Sequence, residues 1–208
     1  MTERGMIFNS EMVRAILDGR KTQTRRPIKF PFKDRNLGCE LSGNELAGEL
    51  SAGNYLNSPF GKPGDRIWVR ETFQGPLFDF DQMDAYCKDS TPFEKAQFCV
   101  YKADGKPAPE FFDADDNLHC CWRPSIHMPR WASRITLEIT DVRVERLNAI
   151  TESDAEAEGI TYTGFGDLLV DGYRYLWKSI YGDDSWQVNP WMWVIEFNRI
   201  KGADHATD

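Results

Sequence analysis

Lys21, Thr22, Gln23, Thr24, Arg25 and Arg26 follow at once on the segment Ile16-Leu17-Asp18-Gly19-Arg20. A lysine three residues before a threonine can act as a base–nucleophile pair in acyl transfer. A threonine hydroxyl attacks a carbonyl only when an adjacent base takes its proton. Lysine can be that base only if its pKa, ordinarily ~10.4, falls toward neutrality through burial or neighbouring cations. Arg20, Arg25 and Arg26 supply like charge and suit a negatively charged or base-bearing ligand. Thr22 competes with Thr24 for the hydroxyl role. The bland alternative is a solvated turn whose threonine hydroxyls bond to backbone.

Two further segments could hold a planar or anionic ligand. Alternation along Arg66 to Glu71 puts Arg66, Trp68 and Arg70 on one face of a strand, with Ile67, Val69 and Glu71 on the other. Two guanidiniums beside an indole suit a stacked base and a phosphate, against the alternative of a surface strand with solvated charges. A Glu71 turned inward needs a partner, and Lys21 or an arginine would serve. The stretch Trp122 to Arg134 interleaves Arg123, His127, Arg130 and Arg134 with two Trp and two Pro, a composition suited to single-stranded nucleic acid or a nucleotide. His127 could contact phosphate or donate a proton, although a lone histidine is more often a structural hydrogen-bonder.

Short elements must position these groups. Asn9 or Ser10 caps a first helix with Met12, Val13, Ile16 and Leu17 on one face, and Gly19 ends it. Residues 30–60, 75–95 and 105–118 read as irregular insertions. Gly64-Asp65 is a turn leading into the strand Arg66 to Phe73, and Gln97 to Lys102 is a second strand. The prolines of Trp122 to Trp131 forbid a regular element there. Ser133 to Leu147 alternates, with a parity switch near Thr140-Asp141 that marks a bulge or a hairpin turn. Thr151 to Asp154 forms a capping box opening a helix closed by Gly159. Tyr173, Leu176, Trp177 and Ile180 share a helix face, Met192 to Ile200 closes the fold as a strand, and residues 202–208 form a disordered tail. The whole reads as one α+β domain over residues 1–201, a small mixed β-barrel with short peripheral helices.

Composition narrows the classes of function. The chain has 208 residues, a formal net charge of -8, 41% hydrophobic and 13% aromatic residues, enough for a real core. That charge argues against a general polyanion binder, whose affinity rests on many phosphate contacts. Five cysteines without CxxC spacing read as reduced thiols of a cytoplasmic protein. Adjacent side chains such as His119, Cys120 and Cys121 rarely converge on one ion, so neither metal nor cofactor is expected. No apolar run reaches the ~18 residues of a membrane span, so no membrane partner is expected, nor does any segment mark an obligatory protein partner.

The segments Gly19 to Arg26, Gly64-Asp65, 133–145 and Trp193 to Phe197 together resemble the ASCH domain family of PUA-like β-barrels. Gly64 to Phe73 and Trp122 to Arg134 look like its longer branch, common in phages and prophages. The resemblance covers most of the chain outside the three insertions. It implies RNA binding in many members. In a compact bacterial branch it implies hydrolysis of N4-acetylcytidine and related acylated cytidines. There a lysine and a threonine of the K-T-x-T segment act with a glutamate of an A-E-x-E segment. Here the matching positions are Lys21, Thr24 and, in Ala155-Glu156-Ala157-Glu158, Glu158. Glu158 otherwise stands near the end of a short helix, where its charge opposes the macrodipole. The expectation is therefore an amidohydrolase of N4-acylated cytidines. Its catalytic residues are Lys21, Thr24 and Glu158, with Glu71 as the rival acid. Substrate contacts come from Thr22, Arg25, Arg26, Trp68, Arg70, Glu71, Arg123, His127 and Arg130. The alternative is a non-catalytic RNA- or nucleotide-binding module, or a ribonuclease variant of it, using the same basic residues.

Overall fold

The structure, a computed structural model, describes residues 1–112, 117–161 and 168–200. In chain order the elements begin with β1 (Glu3–Ile7), α1 (Ser10–Leu17), β2 (Gln23–Pro27), β3 (Phe32–Lys33), β4 (Glu40–Leu41), α2 (Gly43–Ser51), β5 (Arg66–Arg70) and β6 (Phe73–Gln74). They continue with α3 (Met83–Lys88), β7 (Val100–Tyr101), β8 (Glu110–Phe112), β9 (Leu118–Cys120), β10 (Thr136–Arg146), α4 (Glu152–Ala157), α5 (Leu169–Tyr181) and β11 (Trp191–Arg199). The fold is mixed α+β, with a mainly β core and several short helices.

The chain divides into two compact units. The first comprises Met1–Thr2, Ala15–Arg66 and Glu138–Arg199. In it β11 lies between β10 and β2. β11 pairs antiparallel with β2, setting Ile195 opposite Thr24 and Val194 opposite Arg25. Leu147, Ile150, Ala155, Leu169, Tyr173, Trp177, Trp186, Met192 and Val194 form its apolar cluster. The second unit comprises Glu3–Arg14 and Ile67–Leu137, with Ile200. There β5 lies between β1 and the start of β10, and Phe73, Tyr101, Met128 and Ala132 pack together. Neither set of strands closes into a ring among the described residues.

Local chemistry explains the helix ends. Asn9 caps α1 by accepting from the Met12 amide at 2.8 Å, and Gly19 follows at φ +77°. Thr151 and Asp154 cap α4 reciprocally. The insertion at 30–60 is more ordered than its composition suggests. Ser42 and Glu45 build a capping box, and Leu46 and Leu50 bury one helical face of α2. Gly43 and Gly48 dilute the helical pattern. Gly43 is required, because a Cβ there would stand 2.2 Å from the Trp191 ring.

Other expectations need correction. The segment Gln97 to Lys102 opens with a 3₁₀ turn at Ala96–Phe98, and only Val100–Tyr101 pairs as a strand. Residues 105–118, expected as loop, include β8, which pairs antiparallel with β9, while the 75–95 insertion includes the short helix α3. The parity switch in β10 is not a hairpin. The strand continues, with Thr140 and Asp141 both turned away from the core and Val142 and Val144 taking up the buried parity. In α5 the buried face is Leu169, Tyr173 and Trp177, whereas Ile180 is exposed. The expected tail at 202–208 lies outside the described residues. All five cysteines are unpaired thiols. No helix among the described residues is long and apolar enough to cross a membrane.

Candidate functional site

The turn after α1 is fixed by backbone. The amide of Lys21 donates to the Ala15 carbonyl at 3.0 Å, and that of Thr22 to Ala157 at 2.8 Å. The Thr22 carbonyl accepts from the Phe197 amide at 2.8 Å. Lys21 thereby forms an isolated antiparallel bridge with Glu158, the C-cap of α4. Gly159 then turns the chain at φ +89°, where a Cβ would sit 3.1 Å from the Lys21 Cβ. Residues 137 apart in sequence are brought side to side. Lys21 Nζ donates to Glu158 Oε2 at 2.6 Å and to the Glu158 carbonyl at 2.9 Å.

Both side chains are shut from water, with relative exposures of 0% and 4%. Burial lowers the Lys21 pKa, because the ammonium loses its hydration, and this outweighs the opposing pull of the Glu158 carboxylate. Arg26 and Arg25 push in the same downward direction. The balance between burial and carboxylate, left open by sequence, thus falls on the side that favours a neutral amine. Thr24 lies three residues on, also buried, in β2.

Arg25 extends the array. Its Nη2 donates to Glu145 Oε2 at 3.1 Å and stands 3.3 Å from Asp154 Oδ2. Its Nη1 faces Glu158 Oε1 at 4.0 Å. Arg143 completes the surround by binding Glu145, Asp154, Glu196 and the Gln23 side-chain oxygen. Burial lowers the Arg26 pKa, opposed by Tyr181, Glu158 and Tyr173, and burial drives the Tyr173 phenol well above its usual value.

A cavity of 570 Å³ lies in the same unit, lined by Arg20, Thr22, Ser153, Glu156, Ala157 and their neighbours. Lys21, Thr24 and Glu158 do not line it. For Lys21 and Glu158 the reason is alternation: residues on either side of their bridge point away from the pair it joins. Thr22 is exposed there, so Thr22 and Thr24 occupy different environments.

The remaining expected contacts fall in the second unit. Ile67, Val69 and Glu71 face inward as the alternation requires. Arg134 holds both Glu71 oxygens, at 3.0 and 3.1 Å, while bridging to Asp104 at 2.7 Å and lying 3.9 Å from the Tyr101 ring centre. Burial still raises the Glu71 pKa against that guanidinium. Glu71 therefore has its arginine, and Lys21 has Glu158. Arg70 and Arg130 stand 5.4 and 6.0 Å from the Trp68 ring centre. Trp68 also packs where a Cβ on Gly5 would be. Arg130 makes two 2.9 Å bonds to Glu3, Arg70 donates to the Ile126 carbonyl, and Arg123 donates to the Gly75 carbonyl at 3.1 Å. His127 is exposed, its amide bonded to the Pro124 carbonyl. Sequence reasoning missed Glu145, Asp154 and Arg143 around Arg25. The alternation of β10 and the Thr151 cap located these residues without showing what they face.

No protein-family model matches the chain, and no curated protein matches it. One solved structure similar to it is a crystal structure of an Enterococcus faecalis protein of the family DUF984. The identity is 12%, over 100% of this chain and 86% of that one, with a TM-score of 0.40. A likeness at that level carries no argument about function.

Proposed function

We propose that the protein is an amidohydrolase that removes the acyl group from the exocyclic amine of an N4-acylated cytidine, built on an ASCH-type, PUA-like barrel. The observation carrying this reading is the buried 2.6 Å contact between Lys21 and Glu158, the two residues that the sequence resemblance pairs across the chain. Lys21, whose pKa is lowered by burial, takes the Thr24 hydroxyl proton in its deprotonated form as Thr24 Oγ1 attacks the acyl carbon. The tetrahedral oxyanion collapses, the C–N4 bond breaks, and N4 leaves as the amine with the proton from Lys21, relayed by Glu158. Water then attacks the Thr24 ester, giving one proton to Lys21; the C–Oγ1 bond breaks, Lys21 returns that proton to Thr24 Oγ1, and a carboxylic acid is released. The net change is amide plus water to cytidine plus acid. A positioned base contributes roughly 10²–10⁴ in rate. With three buried side chains, the acyl group must be delivered into the interior of the unit. Five free thiols fit a cytoplasmic enzyme.

A second reading, an RNA- or nucleotide-binding module, rests on Trp68 flanked by Arg70 and Arg130. It is weakened because both arginines already bond to their own chain. Turnover of N4-acetylcytidine by hydroxyl variants tests the first reading. Thr24→Val is expected to lose at least about 10²-fold in kcat, and Thr22→Val to stay within about threefold. The reverse ranking would move the nucleophile to the cavity.

A further inference from the structure

Arg25 Nη1 and Glu158 Oε1 are both buried, and neither has a hydrogen-bond partner among the described residues. They face each other at 4.0 Å, beyond hydrogen-bond reach. The other ends of the two groups are committed. Glu158 Oε2 is held by Lys21, and Arg25 Nη2 by Glu145. What remains is the Glu158 Oε1 acceptor facing Arg25 Nη1, with Arg25 Nε also unpaired, all away from water. Leaving such groups unpaired is costly, and a site built around unspent groups discriminates strongly between ligands that do and do not pair with them.

We propose that Arg25 and Glu158 together read the edge of the base, selecting a ring nitrogen acceptor adjoining an exocyclic N–H. This inference rests on the amidohydrolase reading and adds its specificity. Two bonds of ~2.9 Å, running side by side and splayed by the gap, would carry the Arg25 Nη1 proton to the ring nitrogen. The exocyclic N–H would give its proton to Glu158 Oε1. Cytosine and its N4-acyl derivatives present that order. Uracil presents the inverse, setting N–H against the guanidinium and carbonyl oxygen against the carboxylate, so both contacts become repulsive. The same carboxylate oxygen then stands at the nitrogen that must accept a proton when the C–N4 bond breaks. Recognition and leaving-group protonation would share one atom. Because both atoms are covered, ligand entry requires the unit to open locally.

Equilibrium binding of cytidine, uridine and 3-deazacytidine (carbon in place of the ring nitrogen) to the full chain tests this without requiring turnover. The wild type is expected to prefer cytidine over both by roughly 10- to 100-fold, the range of a bidentate base contact. Arg25→Met removes the donor and should abolish the preference over 3-deazacytidine. Removing Arg25 also strands Glu145 and Asp154, so Glu158→Gln provides the second arm. Lys21 Nζ will claim the glutamine oxygen, turning its NH₂ toward the base, and the cytidine-over-uridine preference should vanish or reverse. Equal binding of the three nucleosides, no binding of any at millimolar concentration, or a folded Glu158→Gln protein with unchanged preference would each overturn the proposal. Cytidine preference without turnover of N4-acetylcytidine would sink the hydrolase reading and leave the edge-reading pair standing. Turnover without preference would do the opposite.

Discussion

Lys21 is the residue on which the chemistry turns, because its protonation state decides whether Thr24 has a base. Burial favours the neutral amine and lowers the pKa from 10.5. The base is active only when deprotonated, so activity must rise with pH through the Lys21 midpoint. That rising limb lies below the ordinary lysine value. A pH–rate profile of kcat/KM on N4-acetylcytidine checks this: activity that falls as pH rises through the acidic and neutral range, or a rising limb centred at or above the ordinary lysine value, would contradict it. The lysine, the threonine and the arginines were legible as residue types at a suggestive spacing. The sign of the lysine shift was not. It depends on complete enclosure of the side chain, set by elements more than a hundred residues away. Glu71 shows the converse: alternation along β5 alone put it inside and required a cation, although only the structure shows that the cation is Arg134.

At the level of elements, the site depends on a helix ending in the right place. α4 is six residues long, too short to hold itself by propensity. Its Thr151–Asp154 cap and the Gly159 turn therefore carry much of Glu158's placement. Gly159→Ala meets both a positive φ and close approaches to the Ala15 and Lys21 Cβ atoms, at 3.0 and 3.1 Å. Gly105 also has a positive φ, but nothing stands within 4 Å of its Cβ position. Gly105→Ala should cost about 1 kcal/mol, and Gly159→Ala about 2–3 kcal/mol, with a parallel drop in kcat only for Gly159. Urea unfolding and turnover of the two variants test the difference, and equal losses would remove the turn from the account. Caps and strand alternation were readable because they are local patterns. α2 was not, since the glycine that Trp191 demands looks in sequence like a loop residue. On α5 the periodicity placed Tyr173 and Trp177 on the buried face, which Leu169 extends along an i, i+4, i+8 path, whereas Ile180 satisfies the same spacing but is exposed.

Across the whole molecule, a net charge of -8 and arginines engaged with their own chain set what kind of partner the surface can attract. Arg70, Arg123 and Arg130 bond to backbone or carboxylate groups, so these three are poorly placed to release counterions from a polynucleotide. Any RNA affinity should therefore depend weakly on salt, with a log–log slope shallower than about -2. Fluorescence polarisation across a salt series measures it. A slope of about -4 or steeper would restore the RNA-binding reading. A small neutral nucleoside suits the acidic molecule better. The most direct test is release of cytidine and acetate from N4-acetylcytidine by the purified protein, with Lys21→Ala beside it. Wild-type protein is expected to turn over the substrate, and the variant to lose at least about 10²-fold. Wild-type turnover preserved in Lys21→Ala, or no turnover by folded wild-type protein, would contradict the amidohydrolase reading.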